Sequence, residues 1–130
     1  MTVLVGYVPT SEGEAAFAAG LAEAVLRGED LVVLNTPRGG APMSADVASP
    51  EVVARLSTAA AEAGVALTVR QDAHTGDLAE EVVRVADELP ASVIVIGIRR
   101  RSAVGKLLLG SSAQRILLDA NRPVLAVKPG

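Results

Sequence analysis

The sequence predicts a doubly wound α/β fold: a five-stranded parallel sheet in the order 3-2-1-4-5, with helices on both faces. Three observations predict it. Five short apolar runs alternate with four segments of helical periodicity. Four of those runs are continuous in apolar residues, which marks strands buried on both faces, as in parallel sheets covered by helices. Half of the residues are hydrophobic but only 2 % are aromatic, so the core is built from Val, Leu, Ile and Ala, which suits tight layers of sheet and helix. Right-handed crossovers then place helices on both faces, with one reversal of strand order after the third strand. A chain of 130 residues is long enough for one substantial core, so residues 1–130 are expected to form a single domain.

The elements follow in order. The first strand is Val3–Val5. Ser11 and Glu14 stand in the S-x-x-E spacing of a capping box, so a helix is expected to begin there. Phe17, Leu21 and Val25 then recur every four residues, and Gly28 closes the pattern. Leu31–Leu34 is the second strand. Residues 36–49 are enriched in Gly, Pro and Ser and leave the carboxyl edge of that strand, either as a lid or as a disordered excursion. Pro50 opens a second helix with Val52, Leu56, Ala59 and Ala63 on its apolar face, ending at Gly64. The third strand, Val65–Val69, turns polar at intervals and fits a sheet edge. Leu78, Val82, Val85, Ala86 and Leu89 share one face of a third helix that stops before Pro90. Asp77, Glu80 and Glu81 at its start favour the helix dipole, which accounts for them better than acid–base chemistry does. Val93–Ile96 is the fourth strand. Ala113, Ile116, Leu117 and Ala120 follow the i, i+3, i+4, i+7 rule in a fourth helix. Asn121-Arg122-Pro123 stops it, and Val124–Val127 is the last strand.

Composition excludes several classes of function. There are no cysteines, hence no disulfide framework, thiolate metal site or cysteine nucleophile. No apolar run approaches the roughly 20 residues that span a bilayer. No charged-then-apolar signal precedes the first strand pattern, so the expectation is a soluble cytoplasmic protein with no membrane partner. The net charge of −3 is unevenly spread. Residues 1–96 carry five basic and fourteen acidic side chains, and residues 97–130 carry seven basic and one acidic. A basic quarter on an acidic body suits a local anionic ligand or a solvated face. Broad nucleic-acid binding would need a basic domain and aromatic stacking partners, which the chain lacks.

Ligands of doubly wound sheets bind outside the carboxyl ends of the strands at the point where strand order reverses. Here that point lies between strands 1 and 4, at the loops beginning at Gly6 and Gly97. The second of these loops is basic and rich in glycine: GIRRRSAVGKLLLGSS, residues 97–112. Gly110 precedes Ser111 and Ser112, which open the fourth helix. Serines there either cap the free backbone N–H groups or share them with an anion, and glycine lets backbone approach a ligand closely. A Walker A loop is absent, because Gly105-Lys106 lacks its first glycine and its final Ser/Thr. A G-x-G-x-x-G loop is absent too, since the first loop reads Gly6-Tyr7-Val8-Pro9-Thr10. Leu107–Leu109 are expected to anchor the loop on the core. His74, the single histidine, has no partner at ligand spacing and is read as a loop residue. No Ser-His-Asp or paired-carboxylate constellation can be assembled.

The whole chain resembles the universal stress protein family. Nucleotide-binding members carry G-x2-G-x9-G-[ST] after strand 4, and this sequence supplies Gly97, Gly110 and Ser111 at that spacing, with Arg100 at the second glycine position. The segments LLLGSSAQRIL and PVLAVKP are similar to the family as well. The resemblance implies an adenine nucleotide, ATP or AMP, lying across the switch point, with any divalent cation held through the phosphates. Backbone near Asn35 and Thr36 would contact adenine. Ile96, Gly97, Arg99, Gly110, Ser111 and Ser112 would line the ribose and phosphates. The family's aspartate at the end of strand 1 is replaced by Val8, which removes a polar contact to the nucleoside. Arg100 either clamps a phosphate or fills the space.

The function implied is that of a nucleotide-binding stress-response regulator with at most slow ATP hydrolysis. The rival is a nucleotide-free interaction module whose pocket Val8 and Arg100 have closed. An enzyme acting on a nucleotide-like substrate is the weaker third reading, since no nucleophile or base is in view. The fifth strand, Val124, Leu125, Ala126 and Val127, is apolar throughout and lies at the sheet edge. Pairing with the same strand of a second copy would cover it, as the family also does, so a homodimer is expected.

Overall fold

A computed structural model of the protein describes residues 1–35, 47–71, 78–98 and 110–129. Its elements alternate strictly: β1 (Thr2–Gly6), α1 (Ser11–Arg27), β2 (Asp30–Leu34), α2 (Pro50–Glu62), β3 (Leu67–Arg70), α3 (Leu78–Glu88), β4 (Ala91–Gly97), α4 (Ser111–Asp119) and β5 (Val124–Val127). The five strands form one sheet in the order β3-β2-β1-β4-β5, and every pair is parallel. This is the architecture the alternation predicts. β3 and β5 are its edges.

Side chains alternate across the sheet and separate two cores. Val3, Val5, Leu31, Val33, Val93 and Val95 pack with Phe17 of α1 and Leu56 of α2 on one face. Leu4, Val32, Leu34, Ile94 and Ile96 pack with Val82, Val85 and Ile116 of α3 and α4 on the other. The central strands are buried on both faces, which is why their sequences are apolar without alternation. No described helix is long and apolar enough to cross a membrane.

Helix boundaries follow local chemistry, with one correction. Ser11 does not cap α1. Thr10 does: its backbone is extended and its hydroxyl accepts from the Gly13 N–H at 3.2 Å. The S-x-x-E pattern is therefore displaced by one residue from the true cap, and Glu14 is left free for a tertiary role. Ser49 caps α2 through the Val52 N–H at 3.3 Å, with Pro50 in the first turn where its missing N–H costs nothing. Gly28 and Gly64 end α1 and α2 at φ of +64° and +72°, the left-handed conformation that glycine adopts without strain.

Three positions expected on apolar helix faces are exposed instead, Ala63 after α2 among them. Val25 is 51 % exposed and Leu117 is 40 % exposed. The buried stripe of α1 is Gly13, Ala16, Phe17, Gly20 and Ala24, so small residues let the helix lie close on the sheet. A methyl on Gly20 would fall 2.2 Å from a Val5 methyl. In α4 only Ile116 is buried, and it joins the core of Leu4, Ile94 and Ile96 on the face that α3 covers.

Candidate functional site

β1 and β4 are neighbours, yet the chain leaves them toward opposite faces. After β1 it turns into α1, and after β4 it leads to α4. A cleft of about 130 Å³ opens between these departures, at the carboxyl ends of the strands. Gly6, Tyr7, Val8 and Leu34 form its floor and one wall; Ile96 and Gly97 come from β4. Leu78 and Val82 of α3, with Ser112, Ala113 and Ile116 of α4, close the other side. The switch point reasoned from strand order is thus where the cleft lies.

The expected site residues divide into three groups. Val8, Ile96, Gly97 and Ser112 line the cleft. Gly110 and Ser111 stand exposed at the start of α4 beside it. Asn35 is fully buried and does not line the cleft. Thr36, Arg99 and Arg100 lie outside the described residues, as do Leu107–Leu109, His74, Asp77 and residues 36–46 of the glycine- and proline-rich connection.

Gly97 is required for a reason other than ligand approach. Its missing side chain points toward α1, where a methyl would come within 2.0 Å of the Glu12 carbonyl oxygen. Gly13 makes the reciprocal contact: a methyl there would be 1.7 Å from the Val8 carbonyl oxygen. The Val8 carbonyl also accepts from the Thr10 N–H at 2.8 Å. These contacts seat the first turn of α1 directly behind the cleft wall.

Tyr7 carries a second anchor. Its ring is 97 % removed from solvent, with 3 % exposure, and its hydroxyl donates to Glu14. Arg55 of α2 grips the same carboxylate with two hydrogen bonds of 3.0 and 2.7 Å. Burial, then the adjacent carboxylate, push the Tyr7 phenol from 10.0 up to about 12. The Arg55 guanidinium holds the Glu14 carboxyl below its ordinary range. The group ties β1, α1 and α2 together behind the wall that Val8 presents to the cleft.

The other side of the cleft is polar at one end. Gly110 is the N-cap of α4 and offers no side-chain hydrogen bond to the first turn. The start of α4 therefore presents backbone N–H groups and the hydroxyls of Ser111 and Ser112, at the positive end of the helix dipole. Arg115 pairs with Glu80 at 3.5 Å and Arg122 with Asp87 at 3.3 Å, lacing α4 and the turn after it to α3. Among the described residues no cluster of three or more His, Asp or Glu side chains stands at metal-binding distance. The site is an apolar slot with a hydrogen-bonding end.

Sequence reasoning did not identify Tyr7, Leu34, Leu78, Val82 or Ile116 as cleft residues. Leu78, Val82 and Ile116 were legible as apolar helix faces, but their periodicity is that of any core helix. The Glu14–Arg55 pair is 41 residues apart and leaves no local signal.

A doubly wound parallel sheet with its cleft at the single reversal of strand order defines the class: a small α/β domain with a switch-point site. The sequence profile of the universal stress protein family matches residues 1–128. A universal stress protein of Mycolicibacterium smegmatis is 42 % identical over 127 residues, covering 98 % of this chain and 97 % of the relative. This chain belongs to the universal stress protein family. A universal stress protein structure from Archaeoglobus fulgidus superposes with a TM-score of 0.83 at 29 % identity, covering 98 % of both chains. A second structure from that organism, in complex with dAMP, superposes with a TM-score of 0.76 at 24 % identity, again over 98 % of both chains.

Proposed function

We propose that the cleft binds an adenine nucleotide, ATP or AMP, reversibly, and that the protein acts as a nucleotide-dependent regulator in the stress response. One observation carries the reading: the apolar slot between the ends of β1 and β4 ends at the start of α4, where Gly110, Ser111 and Ser112 leave backbone N–H groups for an anion. The donor set fits a nucleotide. Val8, Leu34, Val82 and Ile96 offer dispersion contact to a flat ring, and the helix N-terminus and Ser112 suit phosphate oxygens. The dAMP complex of the Archaeoglobus fulgidus protein supports the same choice of ligand on the same fold. Gly97, Arg99 and Arg100 complete the phosphate side in this reading and backbone at Thr36 the adenine side, whereas Asn35, fully buried, stands behind the cleft and makes no contact with the ligand. A divalent cation would ride on the phosphates, and no catalytic base is assigned.

A second reading has its own observation. Val8 presents an apolar side chain to the cleft, and the space there is small, which suits a nucleotide-free protein that works through a partner. Calorimetry with ATP, AMP and cyclic AMP on protein stripped of copurified ligand separates the two. Saturable heat with a matching rise in melting temperature is expected. Silence at millimolar nucleotide would refute the nucleotide reading and leave the interaction module. In either case β5 supports a two-fold homodimer, since Val124–Val127 is an apolar edge strand paired on one side only, with β4.

A further inference from the structure

Asn35 is the one fully buried polar residue among those described, with 0 % exposure. Burying an amide is costly unless it is hydrogen-bonded, so its partners account for its presence in an otherwise apolar layer. The side-chain nitrogen donates to the Tyr7 carbonyl oxygen at 2.9 Å. The side-chain oxygen accepts from the Ala48 N–H at 2.7 Å and from the Gln71 side-chain amide at 3.0 Å. Gln71 also donates to the Ala48 carbonyl at 3.0 Å. One side chain thus joins the end of β1, the start of α2 and the end of β3.

The location gives those bonds a consequence. The β1–β2 ladder ends at the pair Gly6–Leu34, and the Tyr7 N–H still reaches the Leu34 carbonyl at 3.0 Å. The Asn35 backbone then turns away to β3, donating to the Arg70 carbonyl at 2.8 Å. Its side chain extends the ladder to the Tyr7 carbonyl. That bond holds the peptide linking Tyr7 to Val8, which is the wall of the cleft.

We propose that Asn35 is the positioning residue of the cleft: its side-chain amide fixes the Tyr7–Val8 wall against the start of α2 and the end of β3, without contacting the ligand. The effect on ligand rests on the nucleotide reading; the clamp itself does not.

Three variants separate the bonds. Asn35→Asp keeps an acceptor for Ala48 and Gln71 but turns an oxygen toward the Tyr7 carbonyl. Asn35→Ala removes every side-chain bond. Gln71→Leu removes only the outer ties. Amide hydrogen exchange of the ligand-free protein is read first. In Asn35→Asp, exchange at the Tyr7 amide, which donates to the Leu34 carbonyl beside the lost bond, rises by about tenfold or more while the Ala48 amide stays protected; in Asn35→Ala both rise. Gln71→Leu leaves the Tyr7 amide protected, and this contrast with Asn35→Ala carries the test should Asn35→Asp not fold. A purely structural role would raise exchange throughout the sheet without this split. Titration follows with adenosine and ATP: both Asn35 variants weaken the two ligands by the same factor, about tenfold, and Gln71→Leu changes neither by more than about twofold. Unchanged protection at the Tyr7 amide in the Asn35 variants overturns the clamp. Loosening there with unchanged affinity overturns the positioning role. A wild-type protein that binds no nucleotide defeats the nucleotide reading alone, because the exchange pattern still decides the clamp.

Discussion

The carbonyl oxygen of Glu12 occupies the space that a side chain at position 97 would need, 2.0 Å from where the methyl would sit. The end of β4 and the first turn of α1 are therefore in backbone contact behind the cleft. Gly97→Ala must push the helix off the strand. It should lower the unfolding free energy by roughly 1–3 kcal/mol, the usual cost of overpacking. Gly110→Ser is the control. A side chain at Gly110 meets nothing within 4 Å, and a serine adds a capping hydroxyl. It should be neutral or stabilising by a few tenths, at most about 1 kcal/mol. Denaturant midpoints of the two variants check this.

Tyr7 is the single tyrosine and the chain has no tryptophan, so the near-ultraviolet absorbance of tyrosinate reports this residue alone. The folded protein should titrate near pH 12, against 10.0 for an unperturbed phenol. A raised value means that the neutral phenol is favoured in the fold. Its contribution to stability is full below about pH 10 and is lost as pH rises toward 12. A midpoint near the ordinary value, with circular dichroism still native, would contradict the buried contact with Glu14.

Glu14 works in the opposite direction. Arg55 holds its carboxyl below the ordinary range, so the stability it adds is present above that range and is lost as pH falls through the lowered value. Arg55 is 56 % exposed and Glu14 39 %, so solvent screens the pair. Glu14→Gln should cost no more than roughly 1 kcal/mol at neutral pH. The gap between wild type and variant should close at acid pH, read from urea midpoints across the acid limb.

Ser112 separates folding from binding. A carboxylate in the first turn of α4 complements the helix dipole, so Ser112→Glu should stabilise the fold by roughly 0.3–1 kcal/mol. The same charge faces any phosphate at the cleft, and affinity for ATP should fall at least about tenfold while adenosine is less affected. Melting curves and calorimetry on one sample give both signs.

The dimer expectation has a backbone test. The carbonyls of Pro123 and Val127 accept from Ile94 of β4 and from Ile98 just after it, so the alternation turns the Ala126 N–H toward the free edge. Ala126→Pro removes an edge donor without touching the β4 ladder. It should yield a monomer by sedimentation, with the melting temperature changed little. A dimer that persists would place the association elsewhere.

Much of the architecture was legible because it rests on local or periodic signals. Continuous apolar runs marked the central strands, and Gly28, Pro50 and Gly64 marked helix ends. The first helix shows the limit of such signals. Ser11 and Glu14 match a capping pattern, but Thr10 caps one residue earlier, because tertiary contacts to Tyr7 and Arg55 engage Glu14. Val25 and Leu117 fit the helical period and are nonetheless exposed, since burial depends on how far a helix overhangs the sheet.

By itself, the sequence determined the two-faced sheet and the edge of the sheet where a ligand site must lie. Hydrophobic periodicity and the handedness of crossovers give the two-faced sheet; the order 3-2-1-4-5 is chosen from the two common doubly wound orders, and the strand pairing bears it out. Only the tertiary structure decided what individual site residues do. Gly97 is small to admit the backbone of Glu12, and Asn35 is polar to hold Tyr7. Such roles depend on pairs far apart in sequence, and the contacts exist only after the sheet has closed and its helices have packed.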